Sequence, residues 1–248
     1  MNKPKIFIKF NIILYFIVIN CCYSQNNYQV KYKMTTLFDG LKNYDAKLTF
    51  SEQKSCFEYK LFDNDTTTTE REDENGHKTI NFPNKNQQTI FSNFKDKKIT
   101  ELKSLKSAYL VEDTLSYPQW NITDKIKNVN NYQCQKATTF FKGREYEVWY
   151  AIEYPTIFGP WKLNGLPGLI ILAQDKKNEV FFEAIEIQKT DENTCQIDNS
   201  IKKISKNDFD VLIKNRQKDL EERLKSMGDR NLKLDVKFGK AVDIEILE

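Results

Sequence analysis

One histidine, His77, stands in a chain of 248 residues, and that scarcity removes several chemistries at once. A metal centre built on several imidazoles is impossible, and the HExxH pattern of zinc proteases is absent. A Ser–His–Asp or Cys–His nucleophile pair would need its imidazole in a cleft. His77 instead closes a polar run, Asn64 to His77, with four threonines, five acids and the turn dipeptide Asn75-Gly76. That run reads as a long exposed hairpin tip, where solvation is the expected state. No Walker A loop and no GxGxxG after a strand occurs, so no nucleotide, metal or other cofactor is expected. Asp63-Asn64-Asp65 lacks the glycine and distal glutamate of a calcium loop. Long apolar runs are missing too, apart from one at the N-terminus.

That N-terminal run is an address rather than part of a fold. Lys3, Lys5 and Lys9 precede an apolar stretch from Phe10 to Ile19, and Cys22-Tyr23-Ser24-Gln25 follows. This is the order of a secretory signal peptide, residues 1–24, with Gln25 as the new N-terminus. A membrane anchor needs about 20 apolar residues, and this stretch is roughly half that. Lipidation at Cys21 or Cys22 is disfavoured by Asn20, which is not small. The mature chain, residues 25–248, is expected to be one exported β-rich domain without a membrane span, in the periplasm, in the cell envelope or secreted.

Excess charge of one sign is also lacking. The whole chain carries +3, and the signal removes three lysines and no acid, so the mature chain carries +3 − 3 = 0. Nucleic acid, which selects basic patches, is therefore not an expected partner. Three cysteines remain after the signal, Cys56, Cys134 and Cys195. An oxidising destination favours one bridge between two of them, and the spacing does not say which two.

Glycine and proline are sparse, at 8 and 6 residues, so their concentration in one place is informative. Gly159-Pro160-Trp161-Lys162-Leu163-Asn164-Gly165-Leu166-Pro167-Gly168-Leu169-Ile170 holds three of the glycines and two of the prolines. Proline fixes φ and glycine admits positive φ and close approach, so the stretch is built for one non-repetitive shape. It is no phosphate loop, because Pro167 has no N–H to donate and no Lys-Ser/Thr follows. Ahead of it stand Trp120-Asn121-Ile122, Tyr132-Gln133-Cys134-Gln135-Lys136-Ala137, Phe141-Lys142-Gly143-Arg144 and Val148-Trp149-Tyr150. In order and spacing these segments resemble the GLPGLI family, whose name Gly165 to Ile170 spell. The resemblance runs from Trp120 to Ile187. It implies an exported protein of Gram-negative bacteria, often encoded near outer-membrane receptors, and it carries over no catalytic residues.

Period-two alternation predicts strands over Tyr28–Phe38, Tyr44–Phe50 and Cys56–Leu61, and shorter ones over Ile80–Phe82, Thr89–Phe94, Lys98–Leu102 and Ala108–Val111. Tyr132–Phe141 and Arg144–Ala151 read as a hairpin turning at Lys142-Gly143. Leu169 to Ala173 is continuously apolar, a strand buried on both faces. Asp175 to Asn178 turns the chain into Val180–Ile187. Ser205, with Asp208 at the capping-box offset, starts a helix whose apolar face is Phe209, Leu212, Ile213, Leu220, Leu224 and Met227, ended by Gly228. Leu232–Phe238 and Val242–Ile246 suggest closing strands. Short turns without helical crossovers imply antiparallel pairing. The expected fold is mainly β: a strongly curved antiparallel sheet, half-open barrel or sandwich, with the amphipathic helix on its concave face. By analogy alone it is similar to the open barrels of lipoprotein carriers.

The aromatic and cationic residues around the Gly/Pro stretch form the candidate site. Arg144, Trp149, Tyr150, Phe158, Pro160, Trp161, Lys162 and Asn164 could line an apolar groove with a cationic rim for a ligand or partner. Gly159, Gly165, Pro167 and Gly168 would shape its turn. On that reading Trp161→Ala and Lys162→Ala spare stability and abolish binding. The competing reading makes Trp149 and Trp161 plugs of the core. Glu145, Glu147, Glu153, Glu183 and Glu186 leave a carboxylate-dependent hydrolase open, with Glu153 or Glu183 as acid or base. Their alternation with apolar residues places them more simply on a wet face. The function expected is an exported binding or carrier module for a lipid or peptide, or one that docks on an envelope protein or outer-membrane receptor. A carboxylate hydrolase and a ligand-free structural envelope protein are the alternatives.

Overall fold

The computed structural model describes residues 27–38, 40–62, 69–72, 78–81, 87–105, 107–191, 195–227 and 244–245. The signal segment, Asp63-Asn64-Asp65, the Asn75-Gly76 turn and His77 lie outside them. So do the expected closing strands, except Ile244 and Glu245.

The strands follow the alternation of the sequence. They are β1 Asn27–Thr36, β2 Lys42–Phe50, β3 Lys54–Leu61, β4 Thr69–Glu72, β5 Lys78–Asn81, β6 Gln88–Asn93, β7 Lys98–Ser104 and β8 Ala108–Thr114. Then come β9 Asn121–Val129, β10 Tyr132–Phe141, β11 Arg144–Ala151, β12 Leu169–Asp175, β13 Val180–Thr190, β14 Lys202–Ser205 and the helix α1 Lys206–Met227. Twelve strands form one sheet in the order β14-β8-β7-β6-β3-β2-β1-β13-β12-β11-β10-β9, and β4 pairs with β5 separately. Every pairing is antiparallel except β14 beside β8. The sheet is curved and open.

One face of this sheet is the core. Val30, Tyr32 and Met34 of β1, Ala46, Leu48 and Phe50 of β2, and Phe57 of β3 are buried, with lysines between several of them exposed. β12 is buried on both faces, as its unbroken apolar run requires, although β11, β10 and β9 lie beyond it. Tight turns fix the register. Lys142 (φ 50°) and Gly143 (φ 79°) join Phe141 to Arg144 with both φ values positive, the primed turn that suits strand twist.

Three features depart from the sequence reading. β9 is an added strand at the sheet edge. It has no alternation because both its faces meet solvent, and Asn130 (φ 48°) with Asn131 (φ 68°) makes its primed turn into β10. β14 is the second addition, a short strand pairing in parallel. The third concerns the helix. Ser205 caps it as expected, its Oγ accepting the Asp208 amide at 3.1 Å, but α1 does not cover the concave face. It meets the sheet at β8 and β14, where Phe209 packs its ring on Tyr109 at 5.9 Å. Leu212 stays exposed, because the position expected for the helix is filled by the Gly/Pro loop.

Candidate functional site

Residues 152–168 connect β11 to β12 and fold into the bowl of the sheet. The loop holds itself by short-range hydrogen bonds. The Gly165 amide donates to the Ile157 carbonyl at 2.7 Å, Leu163 to Pro160 at 3.1 Å, and Leu169 to Tyr154 at 3.1 Å. The Asn164 side-chain oxygen accepts the Gly159 amide at 3.1 Å, and Trp120 Nε1 donates to the Asn164 carbonyl at 2.9 Å. A Cβ on Gly159 would run into the Leu163 carbonyl oxygen, and one on Gly168 into that of Ala151. These glycines are required by close approach rather than by positive φ, which only Gly165 shows in this loop's glycines, at 100°. Trp161 itself sits at φ 55°, a left-handed conformation that a bulky residue adopts only when its surroundings impose it.

Those surroundings are aromatic. Phe158 meets Phe50 of β2 at 6.0 Å and Phe94 at 4.7 Å between ring centroids. Trp161 meets Phe141 of β10 and Tyr146 of β11 at 6.1 and 6.3 Å. Phe158, Pro160, Trp161, Lys162, Leu163, Asn164 and Leu166 are all buried. Neighbouring loop residues therefore touch opposite limbs of the sheet: Trp161 reaches β10 and β11, while Lys162 reaches Glu101 of β7. Six strands (β6, β3, β2, β1, β13 and β12) separate β7 from β11 in the sheet. At about 4.8 Å per strand only strong curvature brings both limbs to one loop.

The residues expected to line one groove are thus divided. Trp149 lies on the opposite face from Tyr146, donating to Glu147 at 3.2 Å beneath the Lys127 ammonium, 4.1 Å from its ring centre. Tyr150 is in the core, and its hydroxyl donates to Gln135 at 2.9 Å. Lys162 is not on an exposed rim. With Trp161 only 4 % exposed, Trp161→Ala is expected to cost about 3–5 kcal/mol of stability, the usual penalty for truncating a buried large aromatic. Urea denaturation reads it directly, and a wild-type midpoint would show that the ring is dispensable.

What the loop does bring together is a buried cluster of charges. Lys162 Nζ donates to Glu101 Oε1 at 2.7 Å and to Glu245 Oε1. Lys103 adds a second cation to Glu101 at 3.0 Å. Burial alone would raise the Glu101 carboxyl, but attraction and hydrogen bonds from Lys103 and Lys162 outweigh it and hold it at about 2. Burial works against charge on Lys162 as well, and its two glutamates prevail and shift it upward. On the other side of Tyr146, Arg144 binds Asp175 at 2.8 Å and Glu179 at 2.6 Å through Nη1. Its Nε donates to the Ile244 carbonyl at 2.9 Å, and its guanidinium lies 4.5 Å from the centre of the Phe38 ring. Burial drives the Tyr146 hydroxyl strongly upward, with Arg144 opposing and Asp175 and Glu245 adding to the shift. That hydroxyl has no hydrogen-bond partner among the described residues, nor does Asn164 Nδ2.

Of these residues only Arg144, Lys162 and Asn164 were singled out by sequence. Glu101 had a readable signal, since it shares the apolar face of its strand with Ile99, two residues away. Asp175 reads as a turn residue and is one: its Oδ1 accepts the Glu179 and Val180 amides at 2.7 and 2.8 Å. Its second role, as counter-ion of Arg144, is invisible without the fold.

The glutamates considered for catalysis face elsewhere. Glu145 pairs with Lys176, Glu147 with Lys136 and Glu186 with Lys31, while Glu153 is exposed. Glu183 accepts a hydrogen bond from Asn130 at 3.0 Å. Cys56 is bridged to Cys195, with Cα atoms 5.8 Å apart, and Cys134 is a buried free thiol. A surface depression of about 250 Å³ is lined by Lys33, Thr35, Leu37, Gln174, Asn178, Val180 and Phe181.

No protein-family model matches the chain, and no curated protein matches it. Among solved structures it is similar to PNGF-II in a P21 crystal form, with a TM-score of 0.53 and 16% identity over 76% of this chain and 33% of that one. PNGF-II in a C2 form gives a TM-score of 0.48 at 16% identity, over 73% of this chain and 31% of that one. The chain thus spans about a third of the length of PNGF-II. At this identity the likeness is one of fold alone.

Proposed function

We propose that this chain is an exported cell-envelope protein of the GLPGLI family that acts by docking on an envelope partner, with no lipid cargo inside its sheet. One observation carries the reading: Phe158, Trp161, Leu163 and Leu166 fill the concave face that a carrier would keep open. The Gly/Pro loop is then a scaffold, whose rigid shape holds the bowl at fixed curvature. The Cys56–Cys195 bridge is in keeping with an oxidising compartment. Catalysis by carboxylates is disfavoured. Glu101, the buried acid with the clearest shift, is held far on the ionised side, the wrong direction for a general acid.

Native mass spectrometry of protein recovered from its own envelope fraction tests this. The expected result is a chain beginning at Gln25 in complex with another protein and free of stoichiometric lipid. A lipid bound one to one would overturn the docking reading in favour of a carrier.

A further inference from the structure

The geometry points to a peptide-recognition site at the mouth of the Gly/Pro loop, selective for an apolar residue followed by a glutamate where the chain bends, which this protein fills with its own Ile244–Glu245. Ile244 is 1 % exposed and belongs to the main core cluster. Its carbonyl accepts from Arg144 Nε at 2.9 Å, and the Glu245 carboxylate accepts from Lys162. One apolar socket, one backbone carbonyl and one carboxylate are the three features that peptide-binding sites read.

The receptor groups also have partners outside the segment they hold. Arg144 is oriented by Asp175 and Glu179 through Nη1, which leaves Nε free to read a main chain. Lys162 is anchored by Glu101 and carried on the strained Trp161, and strain of this kind gathers at functional sites. Such a preorganised pair should persist when the segment leaves, which lowers the cost of binding another. The buried Tyr146 hydroxyl, without a partner among the described residues, stands beside the cluster as a spare donor that Ile244–Glu245 does not use. The occupant expected in trans is a partner's segment of the same apolar–acidic chemistry. It must displace a competitor carried on the same chain, which raises the concentration it needs.

This assignment rests on the docking reading and names the chemistry of its partner. The test uses the full chain with its own segment made unfit, Ile244→Asp with Glu245→Lys, and as probe a labelled Val-Asp-Ile-Glu-Ile-Leu peptide. Fluorescence anisotropy should show the variant binding at least about tenfold more tightly than wild type, which keeps its tethered competitor. The same peptide with Glu245→Gln should lose about tenfold or more, because Lys162 then has no carboxylate to meet. If the double variant does not fold, Glu245→Gln in the full chain takes its place. It should speed hydrogen exchange at the Ile244 and Glu245 amides and admit the glutamate peptide. A folded variant that ignores the peptide, or binds both peptides equally, overturns the site. A partner that still co-purifies in the native mass spectrum would then leave the docking reading standing.

Discussion

Lys162→Ala is expected to lower the free energy of unfolding by about 3–5 kcal/mol, the range for breaking a buried ion pair from one side. The side chain is 8% exposed, and its removal strands the Glu101 and Glu245 carboxylates, 10% and 9% exposed, with Lys103 as the remaining cation seen on Glu101. Replacing the whole cluster, Lys162→Met with Glu101→Leu and Glu245→Leu, should recover much of the loss, since no unpaired charge is then buried. The pH dependence carries the same signature. Glu101 is held at about 2 against an ordinary 4.5, so its contribution is complete above about pH 4.5 and fades as pH falls toward 2. Lys162 is shifted above its ordinary 10.5, so its contribution is complete below that value and is lost as pH rises through the higher folded one. Wild type should therefore show a plateau between these limits, lowered in the alanine variant. Urea midpoints measured across pH decide the matter, and a variant as stable as wild type would mean that these charges are solvated. This reverses the expectation from sequence, in which Lys162 was a surface cation whose loss spared the fold.

Removing the Cys56–Cys195 bridge is the second large effect. The two cysteines are separated by 139 positions, and loop-closure entropy for so long a span gives up to about 5 kcal/mol. Cys56→Ala with Cys195→Ala should approach that loss in thermal or urea unfolding. Reductant should produce a similar shift in wild type and none in the double variant. Equal midpoints for wild type and variant would show the bridge to be dispensable. Cys134 should not substitute for either partner. Burial, with Glu153 adding and Lys127 and a backbone hydrogen bond from Val129 opposing, pushes its thiol up to about 11. It therefore has little thiolate to exchange at neutral pH.

Local chemistry made much of the fold readable. Alternation located β1, β2 and β3, the Lys142-Gly143 turn fixed the β10–β11 hairpin, and Ser205 marked the start of α1. β9 was hidden because an edge strand wet on both faces has no alternating pattern. The placement of α1 was hidden because an apolar stripe does not name what it covers, and the loop had taken the concave face. The candidate site was legible only as a dense patch of special residues. Whether Trp161 and Lys162 line a groove or plug a core depends on Phe141, Tyr146, Glu101 and Glu245, which converge on the loop only when strands far apart in the chain curve round it. The cysteine pairing was undetermined for the same reason: it is set by where β3 lies relative to the chain after β13.

The strand order has a consequence for how the protein is made. β1 is paired with β13, Asn27 opposite Thr190, so one side of the first strand waits for chain synthesised long afterwards. Contacts of such high sequence separation slow folding. If the polypeptide is threaded through a translocation channel N-terminus first, β1 and β2 emerge with an unsatisfied margin and stay vulnerable to aggregation until Val180–Thr190 follow. Holdase protection during that interval should govern yield more than the stability of the finished domain.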